Sequence, residues 1–323
     1  MPRGCARDPG VKPLLRRVPG VGHCTAPRRG AFQSGMTTLA LLLVLAAAVL
    51  HATWNYCAKR AGGGLPFVYL VGLIICALYI PVAGGYWLWH APELPLTAVL
   101  WIMGSGALKT AYSLFLQRSY RVGDFSLIYP LARGTGPLLS TLAAVLVLGE
   151  RPTPLALAGA VVIIGAVFVV AGGTRLLHQD RAHLRHAIGY GVGSGVLIAA
   201  YTLWDRHGVA GLAVAPILYD AGTAFTQLAL LSPFALRRWP EVRTAWCEQR
   251  RYAFGVALLS PLAYVLVLTA LTFTPVSYVA PAREVSIVIG AFIGEKVLKE
   301  TDGRRRLGAA VAMAAGVIAL ALG

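Results

Sequence analysis

The chain has 323 residues, of which 57% are hydrophobic and 13% charged, and a formal net charge of +16. A soluble domain carries about 25% charged residues, and 13 acidic side chains are too few to solvate so large a surface, so the composition excludes a globule and indicates a polytopic membrane protein. The basic residues fall in short clusters between apolar runs, as membrane-flanking anchors do, and not in the single patch that nucleic acid would need.

In chain order, residues 1–36 are rich in Arg, Pro and Gly and lack the apolar core of a signal peptide. They are expected to be a basic disordered tail or an upstream extension ahead of a start at Met36. Ten apolar segments follow, at about 37–57, 66–88, 97–118, 124–148, 154–172, 187–205, 211–235, 252–273, 276–298 and 307–323. Turn and charge signals separate them, among them "GERPTP" after the fourth and "RRWPEVRTAWCEQRR" after the seventh. Backbone groups in lipid must bond within their own segment, and the alternation of a β-barrel is absent, so the predicted fold is all-α with ten transmembrane helices. The five cysteines make no CxxC pair, which speaks against a disulfide framework and against a metal site.

Polar side chains inside these segments are the candidate site residues. Segment 1 places His51 and Asn55 on one helical face beside Trp54, and Tyr201 with Asp205, next to Trp204, holds the matching places in segment 6. This pattern reads either as a shared polar cavity or as helix–helix hydrogen bonding with an interfacial Trp belt. Segment 3 carries Lys109 and Tyr112, with Lys109 too deep to snorkel; a cavity role and an internal salt bridge both stand. Segment 4 carries Arg133 among Pro130, Gly134, Gly136 and Pro137, residues expected to loosen the helix. Inserting one central arginine costs roughly 2.5–3.5 kcal/mol, which apolar neighbours offset, so Arg133 should face the protein interior. In segment 7, Tyr219 and Asp220 stand together, and Asp220 is a candidate proton-coupling carboxylate or a fixed counter-ion to Lys109 or an arginine. Segment 9 carries Arg283 and Glu284 after Pro281. Either the two arginines grip a carboxylate or phosphonate-like group bidentately, or each is tied to a carboxylate or to carbonyls of the protein.

Glu150 and Glu300, with Glu295 one turn earlier, read as boundary or packing groups. "GVGSG" at 191–195 lacks the βαβ context of a dinucleotide site, and His178, His183 and His186 read as a solvated loop face. No Walker sequence, nucleophile elbow, HExxH or paired-carboxylate motif occurs, which argues against an ATP-driven pump and the commoner membrane enzymes.

Residue n compared with residue n+150 shows a repeat. Trp54-Asn55 falls on Trp204-Asp205, Ala132-Arg133 on Ala282-Arg283, and Glu150 on Glu300, in one ungapped register. The predicted organisation is a first five-helix repeat over 37–173, a linker over 174–186 and a second repeat over 187–323. An odd number of crossings per repeat inverts the second copy, as in secondary transporters whose ligand site lies between the halves. Lys and Arg concentrate in the loops after odd-numbered segments, which predicts that those loops are cytoplasmic and both termini are outside.

With "HATWN" in segment 1, "YPLAR" to "VLGE" through segment 4 and "APARE" to "LKE" through segment 9, the chain resembles the EamA branch of the drug/metabolite transporter superfamily. Gly159-Ala160 and Gly308-Ala309 match that family's small-residue packing, and the resemblance runs from about residue 37 to the C-terminus. It implies ten helices in two five-helix repeats, although the family is usually drawn with both termini inside, opposite to the charge count. The expected function is secondary transport of a small anionic or zwitterionic metabolite, such as an amino-acid-like compound, across the plasma or inner membrane. The expected partners are that substrate, the lipid bilayer and a proton as candidate coupling ion, with no cofactor. A lipid-linked flippase or a non-transporting assembly subunit is the alternative.

Overall fold

The computed structural model describes residues 35–62, 64–122, 125–171, 181–289 and 303–323. Expectations for residues 1–34, His178, Glu295 and Glu300 lie outside the described residues, as do those for the side chains of Pro130, His183 and His186. The described backbone is helical: α1 Thr38–Arg60, α2 Leu65–His90, α3 Leu96–Val122, α4 Phe125–Val147, α5 Pro154–Ala171, α6 Arg181–Arg206, α7 Pro216–Leu236, α8 Trp239–Phe273, α9 Val276–Ala282 and α10 Gly303–Leu322. Four described stretches are long and apolar enough to cross a membrane: Thr38–Arg60, Leu65–His90, Leu96–Leu116 and Trp239–Phe273. Shorter apolar helices cover Ala132–Val147, Pro154–Val169 and Gly308–Leu322.

Hydroxyl side chains fit this apolar setting by turning back on their own helices. Thr110, Ser140, Thr202, Thr223 and Thr269 each donate to the carbonyl four residues earlier, at 2.7–2.8 Å. One apolar core joins α1, α5, α7, α8, α9 and α10 around Val44, Ile163, Leu268 and Met313. A second joins α2, α7 and α8 around Phe67, Leu70, Leu231 and Val256.

The principal helix neighbours are α1 with α8, α3 with α6, α2 with α8, α3 with α7, α2 with α7, α5 with α10, α4 with α6 and α4 with α9. Exchanging the first five helices with the last five maps α1–α8 onto α6–α3 and α2–α8 onto α7–α3, while α2–α7, α5–α10 and α4–α9 map onto themselves. The α5–α10 crossing is close because a Cβ on Gly159 would stand 2.6 Å from the Gly316 carbonyl oxygen.

Three elements depart from expectation. The arginine-rich stretch expected as a loop before residue 252 is the first part of α8, which runs 35 residues. Pro240 sits in its first turn, where a missing N–H costs nothing, and Val242 and Ala245 are buried against the second core. The fourth segment was expected to loosen, yet α4 is continuous in the described backbone. Its glycines serve close approach: a Cβ on Gly136 would stand 2.9 Å from Ile198 of α6. The ninth segment was expected as one helix, but α9 ends at Ala282 and helix resumes at 285–289. Across the gap the backbone changes to shorter turns, with Glu284 N–H donating to the Pro281 carbonyl (3.0 Å) and Ile287 N–H to that of Glu284 (2.9 Å).

Candidate functional site: a buried charge network

Asp205 lies in the last turn of α6, ahead of a π turn at His207–Gly211, and it is fully buried. Its carboxylate accepts from Ser105 Oγ (2.5 Å), Tyr219 OH (3.1 Å) and Tyr264 OH. Lys109 Nζ stands 3.1 Å from Asp205 Oδ2 and 4.0 Å from Asp220 Oδ1. The ammonium also lies over the Tyr264 ring, 4.1 Å from its centroid. Asp220 has a different environment, in which Tyr79 OH donates to its Oδ2 at 2.6 Å. Ser105 and Lys109 are four apart on α3, so one face of that helix supplies both groups.

A second group of charges gathers at the α9 break. Arg133 Nη2 lies 2.8 Å from His51 Nε2, and since a guanidinium only donates, the imidazole accepts there and carries its proton on Nδ1. Arg133 Nη1 is 3.7 Å from Glu284 Oε2, and the Glu284 side chain is 1% exposed. Arg283 is buried beside it, within electrostatic reach of Tyr201, Glu284, Tyr264, Arg133 and His51. Tyr264 belongs to the first group through its hydroxyl, which donates to Asp205, and lies within electrostatic reach of Arg283.

The structure brings together His51, Lys109, Arg133, Asp205, Tyr219, Asp220, Arg283 and Glu284 of the residues singled out in the sequence. The others stand at the edge of this assembly. Trp204 stacks on Trp101 with centroids 4.0 Å apart, and each indole N–H donates to the other residue's carbonyl at 2.8 Å, which locks α3 to α6. Trp54 packs edge-on against His51 at 4.8 Å, and Asn55 donates to the His51 carbonyl at 2.7 Å. Tyr112 faces the Tyr201 ring at 5.8 Å. Sequence reasoning missed Tyr79, Ser105 and Tyr264. The available signals were the four-residue spacing of Ser105 to Lys109 and two tyrosines near helix-interior prolines, Pro81 and Pro261.

Glu150, at the α4–α5 junction, caps α9 from outside that helix. Its Oε1 accepts from Val276 N–H (2.8 Å) and its Oε2 from Ser277 N–H (2.9 Å), two donors with no partner inside their own helix. Among the described residues no group of three or more His, Cys, Asp or Glu is placed to hold a metal ion.

The EamA-like transporter family model matches the chain twice, over residues 38–172 and 186–322. A solved crystal structure of a protein is similar at 17% identity and a TM-score of 0.68, covering 88% of this chain and 98% of that one, a likeness of fold alone. No curated protein matches. Two family matches spanning most of the sequence, on an all-helical body with apolar spans, place the chain in the EamA-like transporter family as an integral, multi-pass membrane transporter of the drug/metabolite type.

Proposed function

We propose that the chain is a secondary transporter of a small polar metabolite, anionic or zwitterionic and amino-acid-like, working by alternating access of two inverted five-helix repeats. Its role is transport and not catalysis. The observation that carries the reading is the buried network, in which ionisable side chains from α1, α3, α4, α6, α7 and the α9 break meet inside a membrane protein. Such groups are costly in lipid and ordinarily mark a substrate or ion path. The network has two poles. One lysine faces two aspartates at Lys109–Asp205–Asp220, and at the α9 break Arg133 stands 3.7 Å from Glu284 with Arg283 buried next to that glutamate in the chain. An ammonium group suits the first pole and an oxyanion the second.

The exchange symmetry of the helix contacts supports a duplicated unit, and five crossings per unit would invert the second copy. Asp220 is the candidate coupling carboxylate: it holds one short hydrogen bond and a distant lysine, whereas three hydroxyls and that lysine crowd Asp205. The plasma or inner membrane is the proposed location. Counterflow and pH-driven flux in proteoliposomes across a metabolite panel test this reading, and an intact protein that moves none of the panel overturns it.

A further inference from the structure

The two arginines at the basic pole are not equivalent. Arg133 is hydrogen-bonded to His51 and ion-paired with Glu284 at 3.7 Å, a separation at which Glu284 Oε2 accepts no hydrogen bond among the described residues. Arg283 is 8% exposed, and its Nε has no hydrogen-bond partner among the described residues. A buried donor left unmade is expensive, and more so when it belongs to a charge. The position is also unusual: Arg283 stands where the α9 helix is interrupted, at the turn between Ala282 and the helix that resumes at 285–289. Formal charges make the same point. Among the described residues Glu284 is the carboxylate at this pole, against Arg133 and Arg283, so their formal charges sum to one positive in excess when the neutral histidine is counted as zero.

We infer that Arg283 is the oxyanion anchor of the transport site, taking a singly charged carboxylate, sulfonate or phosphonate group, while Arg133 is the fixed counter-ion that holds Glu284. The inference rests on the transporter reading above. A ligand-binding charge kept unpaired lowers the stability of the empty protein, which is the usual trade between a binding site and its scaffold. The two arginines should therefore respond oppositely to removal.

The test is thermal unfolding of the purified full-length protein, empty and with probes sharing one amine-bearing skeleton: β-alanine, taurine and 2-aminoethylphosphonate, with β-alaninamide as the control that keeps the ammonium and lacks the acidic group. Without ligand, Arg283→Gln should raise Tm by roughly 2–4 °C, and Arg133→Gln should lower it because Glu284 loses its partner. Wild-type protein should be stabilised by at least one acidic probe and not by the amide; Arg283→Gln should lose that response and Arg283→Lys retain part of it. Which acidic probe acts distinguishes carboxylate from sulfonate and phosphonate. A fall in the empty Tm of Arg283→Gln matching that of Arg133→Gln overturns the assignment, as does an unchanged probe response in Arg283→Gln. If all acidic probes fail on wild type, the anchor assignment falls for this skeleton class, whereas the transporter reading falls only if the wider flux panel is also silent.

Discussion

Lys109 stands between two carboxylates with unequal surroundings, at 3.1 Å from Asp205 and 4.0 Å from Asp220. Lys109→Ala leaves both aspartates buried without their cation, and breaking a buried ion pair costs about 3–5 kcal/mol. A matching fall in Tm is expected, with partial recovery in Lys109→Ala/Asp220→Asn; an unchanged Tm in the single variant would contradict the network. At this scale the sequence was legible where a charge stood out from its apolar segment. Lys109, Asp205, Asp220, Arg133, Arg283 and Glu284 are conspicuous because a charge in an apolar segment needs a reason. Ser105 was invisible because a serine hydroxyl in a membrane helix can satisfy itself on its own backbone, as the Thr110 hydroxyl does, and Tyr79 and Tyr264 because membrane-helix tyrosines commonly sit in interfacial belts. Only the fold shows that these three aim at carboxylates instead.

Among the elements, α9 depends on a residue from the other half of the chain. Glu150 occupies two of its orphan donors, so Glu150→Ala should cost about 1–2 kcal/mol, as the loss of a side-chain cap does. Amide exchange at Val276 and Ser277 should speed up, and exchange at both sites as slow as in wild type would show that the cap contributes nothing. The α5–α10 crossing offers a second test. Gly159→Ala places a Cβ 2.6 Å from the Gly316 carbonyl oxygen, and overpacking of this kind costs typically about 1–3 kcal/mol, measurable as a lower Tm. Helix existence was legible from apolar runs and their punctuation, but two boundaries were not. The α8 extension was masked by its arginines and Pro240, although Val242 and Ala245, with Ala253 and Val256, already form a buried stripe at helical spacing. The α9 break falls at Arg283-Glu284, where the sequence predicts one continuous helix although Pro281 and the adjacent charges stand there.

For the whole molecule, a 35-residue α8 is about 52 Å long, against a hydrocarbon core of about 30 Å. Its N-terminal end, with exposed Trp239, Arg243, Trp246, Arg250 and Arg251, should therefore project into the headgroup region on the side to which lysines and arginines are biased. In a variant retaining only Cys247, which is exposed on that projection, a membrane-impermeant maleimide should label inside-out vesicles and spare right-side-out ones. The reverse pattern would invert the orientation read from the loops. The duplication was legible at Trp, Arg and Glu positions, but it does not mark every charge of the network: Lys109 falls on Leu259, Asp220 on Leu70 and Glu284 on Gly134. The repeat register therefore picks out Arg133 and Arg283 and passes over Lys109, Asp220 and Glu284. The decisive measurement is counterflow in proteoliposomes for wild type and for Lys109→Ala and Arg283→Gln, with each variant shown to be folded. Expected is saturable exchange of a small anionic or zwitterionic metabolite by wild type, reduced at least tenfold in both variants. Wild-type rates in both folded variants would contradict a transport site built on this buried network.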